Sequence, residues 1–216
     1  MKTLIAIPCM DYLEADFVDC LTQMLLHHRG EVEVRFLKAS LVYDARNQLT
    51  KHALEAGGYD FILWLDSDMT FGPDLLDRLL EDMEGRDAVT GLCFGRRPPF
   101  KPCIYSDLKV DVQGNTITPS VTPYWDYPRD AVFPVEACGF ACLMMRTDVL
   151  AAMGIYGGVP FFPVAGLGED LTFCWRAKKL GVAFYCDSRL KIGHIMRMSV
   201  DEDFRDQVLP SGHTDN

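Results

Sequence analysis

The stretch Phe61-Ile62-Leu63-Trp64-Leu65-Asp66-Ser67-Asp68 decides the fold: five apolar residues in a row stop at two carboxylates separated by one residue. A continuous apolar run with β-branched and aromatic members reads as a strand covered on both faces, as parallel strands of α/β proteins are. Gly57-Gly58 just upstream lets the chain turn into it. Two ionised carboxylates at its carboxyl end repel each other and lose solvation, so they need a partner. A hard divalent cation that takes oxygen ligands is one. The competing explanation is that Asp66 and Asp68 only end the strand and cap the next segment, because Asp is a common turn and cap residue.

Outward from this stretch the chain alternates. Thr3 to Ile7 reads as a strand with Pro8-Cys9-Met10-Asp11 as the loop leaving it, and Val32 to Leu37 as a second strand. Between them Phe17, Val18, Leu21, Met24 and Leu25 recur at helical spacing, with Glu14 and Asp16 where acids suit a helix start. Asp44 to Ala56 reads as a helix, and Leu75, Leu76, Leu79, Leu80 and Met83 mark another behind Gly72-Pro73. Strand and helix in alternation predict a doubly wound α/β sheet, whose ligands lie outside the carboxyl ends of the strands. After a fourth strand at Ala88 to Leu92, Gly95 to Pro134 is rich in Pro and turn residues and reads as a hairpin insertion turning at Gln113-Gly114-Asn115. Tyr124, Trp125 and Tyr127 in that insertion fit a ligand platform and a core cover equally. Val132 to Met145 returns to strand character, Glu169-Asp170 opens a helix that runs to Gly181, and Val182 to Tyr185 is the last strand before Ile192-Gly193-His194-Ile195. Ser211 to Asn216 is expected to be disordered.

The net charge of -10 argues against a general affinity for nucleic acid or an anionic membrane. No apolar run approaches the roughly 20 residues of a membrane span, and Pro8 comes too early for a signal peptide, so a cytoplasmic protein without a transmembrane segment is expected. The eight cysteines are scattered in apolar contexts. Only Cys138-x3-Cys142 has metal-like spacing, and without a second Cys/His pair nearby it reads as two buried thiols.

Three features then occur in order: Asp66-Ser67-Asp68 after a strand, Gly168-Glu169-Asp170 before a helix, and His194 after the last strand. That order resembles the GT-A glycosyltransferases, in particular the glycosyltransferase family 2-like group. The resemblance extends from Ile5-Ala6-Ile7-Pro8 through Ala45-Arg46-Asn47 and Gly139 to Arg146 as far as Gly168 to Arg176. It implies a GT-A (Rossmann-like), mostly parallel central sheet with helices on both faces. Residues 1–198 would be a single GT-A-like catalytic domain with an acceptor-side hairpin insertion at 95–134, and 199–216 a polar C-terminal tail. It also implies metal-dependent, inverting transfer of a sugar from a nucleotide-diphosphate sugar to a hydroxyl acceptor. Asp66, Asp68 and His194 match metal positions, for Mn²⁺ or Mg²⁺. Arg46 and Asn47 match residues near the nucleotide, and Asp170 matches the general base with Glu169 beside it.

Chemistry agrees independently with parts of this. A leaving nucleoside diphosphate gains negative charge that a divalent cation neutralises, and an added imidazole suits Mn²⁺ better than Mg²⁺. A carboxylate such as Asp170 activates a poorly nucleophilic sugar hydroxyl; a helix-start cap is the other explanation of Glu169 and Asp170. His194, flanked by isoleucines, reads equally as a structural residue. Pro8 and Cys9 leave a central strand and would line the base or ribose, Ser67 lies between the paired acids, and Arg96, Arg97 and Lys101 would offset phosphate charge. Nucleotidyl transfer and non-catalytic nucleotide-sugar binding are the alternatives; the first usually shows a Gly-rich basic loop where this chain has Pro8-Cys9-Met10-Asp11.

Overall fold

The computed structural model describes residues 1–39, 41–113, 116–164, 166–202 and 204–205, without side chains at 112 and 116. The strands are β1 (Lys2–Cys9), β2 (Glu31–Lys38), β3 (Phe61–Leu65), β4 (Met69–Thr70), β5 (Ala88–Leu92), β6 (Ile104–Gln113), β7 (Thr116–Pro123), β8 (Val132–Val135), β9 (Ala137–Cys138), β10 (Cys142–Arg146), β11 (Phe184–Lys191) and β12 (Gly193–His194). The helices are α1 (Ala15–His27), α2 (Val42–Ala56), α3 (Leu75–Asp82), α4 (Thr147–Ala152) and α5 (Glu169–Lys178). The expected turn at 114–115 and the end at 211–216 lie outside the described residues.

A seven-stranded sheet in the order β2-β1-β3-β10-β5-β11-β8 forms the centre. β1, β2, β3, β5 and β11 share one direction, and β10 and β8 run against it. All of β3 is buried, as its unbroken apolar run requires. Its alternate side chains feed two cores. Ile62 and Trp64 pack with Leu49 and Ala53 of α2 and Phe173 of α5, while Phe61, Leu63 and Leu65 pack with Phe17, Leu21 and Met24 of α1 and Leu75, Leu76 and Leu79 of α3. Helices therefore cover both faces, the doubly wound arrangement that the alternation predicts.

Three details differ from the expectation. Pro8 and Cys9 still belong to β1, opposite Leu37 and Lys38 of β2. Pairing with β3 has already ended at Ala6 and Trp64, so the missing N–H of Pro8 deprives no ladder on that side. Val18 and Leu25 of α1 are exposed, leaving a narrower apolar stripe than the spacing suggested. The last long strand starts at Phe184 and runs to Lys191, so that it delivers the chain directly to His194.

Two smaller sheets shape the rim. β6 pairs with β7 and with β9, giving the expected hairpin, and β12 pairs with β4. Tyr127 is buried and stacks on Phe133, and Tyr124 meets the same ring edge-on at 5.7 Å. These two tyrosines cover core, and only Trp125 of the aromatic trio is exposed. All eight cysteines are free thiols.

Candidate active site at the carboxyl rim of the sheet

Leaving β3, the chain places Asp66, Ser67 and Asp68 at the strand's carboxyl end. The antiparallel direction of β10 brings the preceding Gly139-Phe140-Ala141 segment to the same rim, where Asp66 N–H donates to the Ala141 carbonyl at 3.0 Å. Pro8, Cys9, Met10, Tyr43, Asp66 and Asp68 line a cleft of about 460 Å³ there, and Ser67 and Arg96 complete its wall.

Beneath this cleft lies Arg46 of α2, only 2 % exposed. Its Nη2 donates to Asp66 Oδ1 at 3.0 Å and its Nη1 to the Phe140 carbonyl at 3.4 Å. The Nε faces Glu169 Oε1 at 3.7 Å and makes no hydrogen bond. The guanidinium carbon is 5.7 Å from the Trp64 ring and 5.4 Å from that of Phe140. A buried cation survives only when paired, and here it joins β3 to the start of α5. Burial raises the Asp66 pKa, Arg46 opposes that rise, and the charges of Asp68 and Glu169 add to it.

Asp68 lives in a different setting. Its Oδ2 accepts from Arg96 Nη1 at 2.8 Å and lies 3.5 Å from His194 Nε2. Burial alone would raise its pKa, but the hydrogen bond and charge of His194, with Arg96, outweigh it and hold Asp68 below the ordinary carboxylate value. His194 comes from far downstream through the two-residue ladder of β12 on β4, with His194 opposite Met69, and Ile195 N–H donates to the Asp68 carbonyl at 2.8 Å. Gly193 suits that close approach, because a Cβ there would run into the Thr70 hydroxyl unless that side chain turned away. His194 Nδ1 faces the Phe94 carbonyl at 2.9 Å, so the ring donates from Nδ1 and turns Nε2 toward Asp68. A nitrogen lone pair and a carboxylate oxygen at that distance attract only with a positive charge between them. A proton on Nε2 serves, and Asp68 accordingly raises the His194 pKa first of all; a divalent cation serves equally. Two carboxylates and a neutral imidazole are a donor set suited to Mn²⁺. The described residues contain no preformed cluster of three His, Cys, Asp or Glu spaced as a metal cage, since Asp66 is turned to Arg46.

Glu169 and Asp170 occupy the first turn of α5. Asp170 Oδ1 accepts from Leu171 N–H at 2.7 Å. Its Oδ2 lies beside Gly139 and Cys103, close to the segment that precedes β10. Burial, then the neighbouring Glu169 charge, pushes the Asp170 pKa up to about 6 against the Leu171 hydrogen bond and Arg46. An acid poised there takes a proton well at neutral pH.

The structure thus gathers Asp66, Ser67 and Asp68 with Pro8 and Cys9 on one cleft, His194 against Asp68, and Glu169 with Asp170 across Arg46. Arg46 and Asn47 do not themselves line that cleft. Arg46 lies below the cleft, and the buried Asn47 accepts from Phe161 N–H at 3.0 Å, tying α2 to the loop that leads to α5. Sequence reasoning missed Tyr105 of β6, a half-buried phenol whose pKa is raised by burial and then by Asp170. Nothing in the insertion's pattern marks it.

No family model matches the chain, and no curated protein matches it in sequence. Solved structures do. A197 from STIV superposes with a TM-score of 0.63 at 20% identity, covering 91% of this chain and 87% of that one. GalNAc-T7 with UDP, GalNAc and Mn2+ gives 0.61 at 9% identity, covering 91% of this chain and 43% of that one. S. aureus TarS 1-349 gives 0.52 at 14% identity over 90% and 60% of the two chains. The chain therefore spans less than two thirds of the last two structures. GalNAc-T7 and TarS are GT-A glycosyltransferases, and likeness at this identity shows the GT-A fold. No helix among the described residues is long and apolar enough to cross a membrane.

Proposed function

We propose that the protein is a metal-dependent, inverting glycosyltransferase that moves a sugar from a nucleotide-diphosphate sugar to a hydroxyl acceptor, with residues 1–198 as its catalytic domain. The observation that carries this reading is the convergence on one rim of the Asp66/Asp68 pair, His194 and the raised-pKa carboxyl of Asp170. The neighbour solved with UDP, GalNAc and Mn2+ supports a donor and metal of that kind.

In this reading the nucleoside lies in the cleft along Pro8 and Cys9, with Ser67 beside the diphosphate. Asp66, Asp68 and His194 Nε2 hold Mn²⁺ or Mg²⁺. When bound, the ion neutralises the charge growing on the leaving diphosphate. Asp170 accepts the proton of the acceptor hydroxyl as that oxygen attacks the anomeric carbon and the carbon–oxygen bond to the diphosphate breaks. Arg46 acts from below as a positioning residue that holds Asp66 and Glu169 apart and partly neutralised, and Glu169 flanks the acceptor. A cytoplasmic location belongs to this proposal, in keeping with the free thiols.

Incubating the protein with a panel of uridine, guanosine, cytidine and thymidine diphosphosugars, with Mn²⁺ and a set of hydroxyl acceptors, tests the proposal by mass spectrometry. Transfer or donor hydrolysis by the native chain that disappears in Asp66→Ala and Asp68→Ala supports it. Turnover unaltered in both variants removes the metal assignment.

A further inference from the structure

The two ends of the rim differ in charge. Between Asp87 and Asp107 the chain has no acid, although acids outnumber Lys and Arg 31 to 21 overall. Arg96, Arg97 and Lys101 fall inside that gap, on a turn leaving β5 that its own backbone builds. Cys103 N–H donates to Cys93 O at 2.9 Å, Gly95 N–H to Lys101 O at 2.8 Å, and Phe100 N–H to Arg97 O at 2.8 Å. Arg97, Lys101 and His194 share a cleft of about 550 Å³. Arg96 forms part of this cleft and of the donor cleft, and spans to Asp68.

A larger cleft, about 670 Å³, opens beside it at the ends of β5 and β11, with Arg129 and Lys191 on its wall and Asp130 as the single acid. Phe94 joins the two: its ring lines the larger cleft, its carbonyl receives His194, and Gly95 begins the smaller one. Arg129 lies 4.3 Å from the Tyr127 ring centre, and Lys191 Nζ donates weakly to the Ser188 carbonyl at 3.5 Å. Among the described residues, Arg97, Lys101, Arg129 and Lys191 have no carboxylate within ion-pair distance. Cations left without counter-charges along adjoining clefts of an acidic protein create a local positive field that concentrates anions.

We propose that these two clefts take an acceptor glycan bearing oxyanion groups, phosphate or carboxylate. Arg97 and Lys101 hold the group nearest the reacting centre, and Arg129 and Lys191 hold the next one along. Arginine offers the paired N–H donors that such oxygens accept, and lysine adds a point charge. The ligand's role as acceptor rests on the transferase reading; its charge does not.

Calorimetry of the full chain with four probes tests this: oligogalacturonate, phosphorylated maltohexaose, neutral maltohexaose and a single-stranded oligonucleotide of matched charge. One or both charged glycans should bind, more weakly as salt rises from about 20 to about 200 mM, and the tighter of the two identifies the oxyanion. Arg97→Gln, Lys101→Gln, Arg129→Gln and Lys191→Gln should each weaken that binding about two- to fivefold, and Arg129→Gln and Lys191→Gln should leave nucleoside diphosphate affinity unchanged. All four residues are exposed and can be replaced without touching the core, so unchanged folding is checked by an unchanged urea midpoint. Equal binding of neutral maltohexaose, equal binding of the oligonucleotide, or unchanged affinity in the variants overturns the proposal. Binding of a charged glycan by a chain that binds no diphosphosugar would leave the charged clefts standing and remove the transferase reading.

Discussion

Asp66 and Asp68 lie one residue apart on one loop, yet each meets a different kind of arginine. Around Asp66 the cation is internal: Arg46 is 2 % exposed, boxed by Trp64 and Phe140, and shared with Glu169. Around Asp68 it is external: the Arg96 side chain is 52 % exposed and rides on a surface turn, with His194 behind it. A buried charge pair cannot be broken without stranding a charge in a poorly solvated place, whereas a solvated pair exchanges partners at little cost. Arg46 is therefore scaffold that fixes Asp66 on the cleft wall, and the outer pair is where an incoming cation or diphosphate finds groups free to rearrange.

Replacing the internal cation should have the largest effect. Arg46→Met strands Asp66 and Glu169 and should lower stability by about 3–5 kcal/mol, read as the urea midpoint; a variant within about 0.5 kcal/mol of the native chain would mean that the buried pair is no scaffold. Asp170→Asn comes next. Transfer should fall by about 10²- to 10⁴-fold while donor affinity holds, and the rise of kcat/KM through about pH 6 as Asp170 loses its proton should vanish. The same group affects stability in the opposite sense. Burial raises its folded pKa to about 6, so its contribution is fully present below the ordinary value of 3.8 and is lost as pH climbs through about 6. The Asn variant should lose less stability than the native chain across that window.

At the outer pole the changes should be smaller and confined to ligands. His194→Gln should raise the Mn²⁺ concentration for half-maximal activity at least about tenfold with an unchanged urea midpoint; equal demand for Mn²⁺ would leave His194 a structural residue. Arg96→Gln should weaken nucleoside diphosphate binding only about two- to fivefold. A loss as large as that of Arg46→Met would erase the distinction between the two poles.

Local pattern carried most of the first half of the chain. β3 starts and stops where its apolar run does, β5 spans the expected Ala88 to Leu92, and α1, α2 and α3 bury most of the apolar residues that recur at helical spacing, Val18 and Leu25 excepted. The second half depends on long-range pairing. Nothing local marks β4 and β12 as strands, since each is two residues long and is defined by its pairing with the other. Nor does an apolar run announce direction, so the reversed course of β10, which brings Phe140 and Gly139 to the rim, emerges only from the assembled sheet. The acids and His194 were legible as types in an order. That Arg46 lies under the cleft, and Asn47 against Phe161, follows from the packing of α2 on the sheet, which its spacing alone does not reveal.

Calorimetric titration of the native chain and of Asp68→Asn with the diphosphosugar panel, with and without Mn²⁺, addresses the central claim most directly. At least one diphosphosugar should bind the native chain, Mn²⁺ should tighten it, and the tightening should be lost in Asp68→Asn, which should keep the native urea midpoint. Failure of every diphosphosugar to bind, with Mn²⁺ present, would contradict it.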